Sequence, residues 1–207
     1  MSDSRNSHSG NAEQRLNSRE LGLNGKCLGS TGAFLKSFFL SKPFNPFDEN
    51  QQAQMRHAQL AYHEGFADPA NGMSEDIDST LKSHRIPYIS QFSFEKPARN
   101  LHDELGSLVQ HTGEGEKTGI YVELKATTNS RGEPVPDNTY HATAFTAERP
   151  QGSSIPVCSI FDINTKLAKG NCTDMMRQFM LFTQQYGSST AASIRTYKTH
   201  QMNHSTG

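Results

Sequence analysis

A cysteine where a glycine turn runs into a helix, followed far downstream by a histidine and an aspartate on consecutive strands, supplies the parts of a thiol hydrolase. Cys27 lies in NGKC, directly before the apolar run LGSTGAFLKSFF, so its sulfur is expected at a helix N-terminus. The partial positive charge and free N–H groups there favour thiolate over thiol and can hold a developing oxyanion. His141 opens the run YHATAFTAE and Asp162 closes the run IPVCSIFDI. On neighbouring antiparallel strands the two side chains would meet, and a carboxylate on the far ring nitrogen would fix the tautomer and stabilise imidazolium beside a thiolate. Each residue alone has a plainer reading. Cys27 could be a small buried side chain, His141 a solvent-facing or strand-capping one, and Asp162 a turn cap. Phe161 and Ile163 on either side of Asp162 argue for a partly buried carboxylate that needs a partner. Asn24, shortly before Cys27, is the candidate for a second oxyanion donor, although Asn-Gly is also what an ordinary turn requires.

The elements that must position these groups fall into two blocks. Leu28, Leu35, Phe38 and Phe39 suit one face of a first helix, which Pro43 and Pro46 stop. Further helices are expected over 51–66 and over 98–111, where Leu101, Leu105, Leu108 and Val109 form a stripe; the stretch between reads as loop and short helix. Strands follow at 119–127, 140–148 and 155–163, joined by Gly/Pro-rich connections. A last helix over 173–187 has Thr173 as its expected N-cap and Met176, Phe179, Met180 and Phe182 for a buried face. Helices first and an antiparallel sheet afterwards define an α+β domain.

Length and charge bound the alternatives. The 207 residues suit one domain with a sizeable core. A hydrophobic fraction of 33% and a mean hydropathy of −0.69 leave room for polar termini. Residues 1–20 read as a disordered leader, 21–190 as the catalytic domain and 191–207 as a polar C-terminal tail. A net charge of −1 disfavours nucleic-acid partners. No apolar stretch reaches the roughly 18 residues of a membrane span, and MSDSRNSHSGNAEQ lacks the apolar core of a secretory signal. Cys158 and Cys172, with no zinc-type spacing, are expected to pack as small apolar groups, and His57 and His63 are not placed on one helical face, so no metal and no cofactor are expected.

The segments NGKCLGSTGAFLKSFF, NTYHATAF and SIFDINTKLAKG, followed by an aromatic-rich helix, resemble the YopT-type cysteine proteases, a papain-fold group of bacterial effectors. The resemblance covers three separate blocks. It implies a papain-like fold, with Cys27 as nucleophile, His141 as general base and Asp162 as the orienting acid. It further implies type III-like secretion into a host cell, a specific host protein as substrate and a secretion chaperone, for a protein that works as a monomer. Ile163 stands where the family has proline after the aspartate, and Ser30–Thr31 where it has Leu-Ser. These departures leave open a glutamine deamidase with the same triad and a catalytically inactive papain-like binding module.

Overall fold

A computed structural model describes residues 12–23, 25–129, 131–187 and 190–199. In chain order the elements are β1 (Ala12–Arg15), α1 (Cys27–Phe39), α2 (Glu49–Gly65), α3 (Pro69–Ser83), β2 (Tyr88–Pro97), α4 (Ala98–Gln110), β3 (Lys117–Thr128), β4 (Pro134–Glu148), β5 (Val157–Asp162), β6 (Lys166–Asn171), α5 (Cys172–Gln185) and β7 (Thr190–Thr199). The strands form one antiparallel sheet in the order β1-β6-β5-β4-β3-β7-β2.

Alternation along the strands sorts the core into two layers. Ile120, Val122, Leu124, Phe145, Ile160 and Ile194 face α4 and α5. Tyr121, Ala142, Ala144, Phe161 and Tyr197 face α1, α2 and α3. Small residues on that second face let α1 lie close on the sheet. A Cβ at Gly119 would stand 2.7 Å from the Phe39 ring. The crossing of α1 and α2 is tighter still, because a Cβ at Gly29 would fall 2.2 Å from the Met55 carbonyl oxygen.

Side chains cap three of the helices: Asp48 accepts from the Gln51 N–H, Asp68 from Ala70 and Asn171 from Asp174. Helix α1 differs. Its N-cap residue, Lys26, makes no side-chain cap.

Several expectations are corrected. The leader was expected to run to residue 20, but β1 pairs with β6 through its backbone and Leu16 is buried, so chain from residue 12 onward belongs to the domain; residues 1–11 lie outside the described residues. The expected polar tail from 191 contains β7, an interior strand between β3 and β2. Ile194 and Tyr197 anchor it from opposite faces, and Ala191, Ser193, Arg195, Thr196, Lys198 and Thr199 fill the other ladder positions against β3. The stretch read as loop and short helix holds the 15-residue α3, started by Asp68 and Pro69, and then the strand β2. Asn171, not Thr173, caps α5. Cys158 and Cys172 do not pack as separate apolar groups: they form a disulfide joining β5 to the start of α5, and Cys27 remains free.

Candidate active site

Helix α1 and strand β4 meet where β5 stops. The β4–β5 ladder begins at the Ala144–Phe161 pair, so β4 continues past its last β5 partner toward His141. There α1 takes over the exposed edge. Cys27 and Thr31, one turn apart on the same helical face, engage the two backbone groups of Ala142: its N–H donates to the Cys27 sulfur, and its carbonyl accepts from Thr31 Oγ1 at 3.3 Å. Behind Cys27 the Gly29 N–H is claimed by the buried Gln59 Oε1 at 2.8 Å, and the Ser30 N–H by the Lys26 carbonyl at 3.0 Å. The Cys27 N–H stays at the uncapped helix start, beside its own sulfur.

Strand alternation puts His141 and Asp162 on the α5 side of the sheet, and the imidazole reaches Cys27 around the open β4 edge. His141 Nε2 lies 2.6 Å from Asp162 Oδ2, which leaves Nδ1 for the sulfur. Asp162 is fully buried. Its Oδ1 accepts from the Asn164 N–H at 2.8 Å and from the Tyr186 hydroxyl at 3.2 Å. The same carboxylate therefore closes the β5–β6 turn and binds the imidazole.

Electrostatics follow from this packing. Burial alone would raise the Cys27 thiol, but the hydrogen bond and positive charge of His141 and the Ala142 N–H outweigh it, and the pKa falls below the usual thiol value. Burial opposes protonation of His141; the Asp162 carboxylate, and then Cys27, overcome that and push it up to about 10. Both shifts favour a thiolate–imidazolium pair.

Tyr186 escaped sequence reasoning. It ends α5, stacks on the His141 ring at 4.1 Å between centroids and donates to Asp162, while Asn164 Nδ2 donates to its hydroxyl at 3.1 Å. Burial, then the Asp162 charge, raises its pKa far above the ordinary phenol, so it stays a donor. Only its place directly before Gly187 at the end of an aromatic helix marks it in sequence. Tyr186→Phe keeps the stacking and removes the hydroxyl. It should lower stability by about 1 kcal/mol in thermal denaturation and leave Cys27 alkylation at low pH largely intact. Asn24, the expected oxyanion donor, lies outside the described residues.

No family model and no curated protein matches the chain. Solved structures do. The chain has an α+β, papain-like cysteine protease fold. It is similar to the Pseudomonas avirulence protein AvrPphB, with a TM-score of 0.52 and 14% identity over 90% of this chain and 97% of that one. A second similar structure is PatoxP, a cysteine protease-like domain of the Photorhabdus asymbiotica toxin PaTox, with a TM-score of 0.44 and 12% identity over 94% of this chain and 55% of that one.

Proposed function

We propose that this chain is a cysteine hydrolase that cleaves a specific host protein, with Cys27 as nucleophile, His141 as acid and base and Asp162 as the group that orients it. The observation that carries the reading is the continuous hydrogen-bonded line from the Cys27 sulfur through His141 to the buried Asp162. In the reaction the thiolate adds to the scissile carbonyl carbon, and the oxyanion is held by the Cys27 N–H. Imidazolium gives its proton to the leaving amine as the C–N bond breaks, leaving an acyl-thioester. His141, now neutral, takes a proton from water as its oxygen attacks the thioester carbonyl. Collapse releases the carboxylic acid and restores the thiolate–imidazolium pair. The likeness to an avirulence protein supports a bacterial effector delivered into the host by a type III-like route, with the polar segment before residue 12 as its leader.

Iodoacetamide labelling of the native protein across pH, with the modified site assigned by mass spectrometry, tests the nucleophile. Cys27 should react fastest and remain reactive below about pH 6. A titration near the free-thiol value of about 8.5, or no reaction at any pH, would replace the hydrolase by a binding module of the same fold. Incubation with a host target then separates peptidase from deamidase: two fragments support the first, an intact partner with one glutamine converted to glutamate the second.

A further inference from the structure

The end of α1 far from Cys27 borders an apolar groove that the hydrolytic chemistry does not use. Phe34 and Phe44 floor it, packed on Phe161 of β5 at 4.9 and 5.2 Å between centroids, together with Leu167 of β6. Phe38 forms one wall. β1 forms the other through Ala12 and Gln14, which the ladder sets opposite Lys169 and Leu167 on the same sheet face. At about 330 Å³ the groove has room for side chains or a small ligand, not for a folded surface.

Its rim is cationic. Lys42 is exposed and pairs with no carboxylate among the described residues. Lys169 reaches Glu148 at 3.1 Å, and Lys117 lies over the Phe38 ring at 5.2 Å. Burial lowers the Lys117 pKa, Glu148 opposes that, and Lys169 adds to it. Glu13, the other acid at the rim, is held by Lys166 at 3.1 Å. An anionic group is what this rim lacks.

The sheet edge beside the groove is open. β1 ends the sheet, and the Leu16 N–H turns inward to the Thr165 carbonyl at 2.8 Å. By alternation the N–H and C=O groups of Glu13 and Arg15 point outward, and no proline interrupts them. A strand laid along β1 would bond to these groups and turn every second side chain toward the groove. An acyl chain could fill the apolar space but offers nothing to the edge, so the edge favours a peptide over a lipid.

We propose that the groove and the β1 edge form a docking site for an extended segment of a partner protein. An apolar side chain of that segment enters the groove, and an acidic side chain two residues away meets Lys42 or Lys169. Phe38 stands about 16 Å from Cys27 along α1, so a partner held here can offer another segment to the sulfur. The docking does not itself require Cys27 to be the nucleophile.

A phage-displayed heptapeptide library with threonine at odd positions and every residue at even ones, panned on the full chain, tests it. Peptides that pair leucine or an aromatic residue with aspartate or glutamate at the neighbouring even position should be enriched about tenfold or more. Fluorescein-labelled copies should bind about threefold to tenfold more weakly to Lys42→Glu. Arg15→Pro, which removes an outward N–H and leaves the β6 ladder intact, should weaken them at least as much. Both side chains are exposed, and thermal denaturation checks that both variants fold. Cys27→Ala should bind as wild type does. No such enrichment, or unchanged affinity in either charge or proline variant, would overturn the site. Peptides whose binding needs Cys27 would place it at the sulfur instead, and binding of dodecanoate with no peptide enriched would make the groove a lipid site. Low-pH iodoacetamide labelling of Cys27 is a separate readout, and its failure bears on the nucleophile alone.

Discussion

His141→Ala should abolish the low-pH reactivity of Cys27 and lower any hydrolytic rate by about 10³-fold or more. Two stabilising causes disappear at once, the hydrogen bond to the sulfur and the positive charge beside it, while the burial that raises the thiol remains. A thiol at its ordinary pKa is ionised to roughly one part in 300 at pH 6, and burial reduces that further. Iodoacetamide rates at pH 6 should therefore drop by about two orders of magnitude or more, with rates above pH 9 much less affected. Equal low-pH rates in wild type and variant would show that the thiol is activated without His141. The uncapped helix start and the Ala142 N–H would then be the sole activators.

Asp162→Ala is expected to have the largest effect on stability. Asp162 is fully buried and its two oxygens satisfy the imidazole, the Asn164 N–H and the Tyr186 hydroxyl. Removing one partner of a buried pair costs about 3–5 kcal/mol, or about 6–20 °C in melting temperature for a chain of this size. The loss should depend on pH in a definite sense. His141 is raised from 6.5 to about 10 in the folded chain. Between those values the imidazole keeps a proton in the native state that it has lost in the unfolded one, so its contribution to stability falls as pH rises through that window. The melting-temperature gap between wild type and Asp162→Ala should be full below pH 6.5 and narrow toward pH 10. A gap that widens with pH would contradict a proton held by the His141–Asp162 pair.

Where chemistry and periodicity coincide, the sequence was readable. Ile120, Val122 and Leu124 alternate because α4 and α5 cover one face of β3, and the residues flanking Cys27, His141 and Asp162 carry similar patterns. Four strands left no such trace; one of them, β6, is only six residues long and half of them are polar. β1 is exposed along its whole length and is held by its backbone ladder and a Glu13–Lys166 ion pair at 3.1 Å, with no buried face of its own. β7 is rich in Ser and Thr, yet it sits between β3 and β2, with Ile194 and Tyr197 buried on opposite faces. β2, at the sheet edge, follows a proline and mixes polar with aromatic residues. Long-range events were equally invisible. The Cys158–Cys172 bond depends on β5 and α5 starting side by side, and the role of Tyr186 depends on where α5 ends. Spacing along a chain records neither.

The grip of α1 on Ala142 works through the peptide unit itself. Cys27 and Thr31 read an amide proton and a carbonyl oxygen, which every residue except proline presents, and they ask of the side chain there only that it be small. A contact of that kind leaves almost no imprint in an alignment and sets no barrier to drift around it. This chain and AvrPphB thus share a fold while agreeing at about one position in seven.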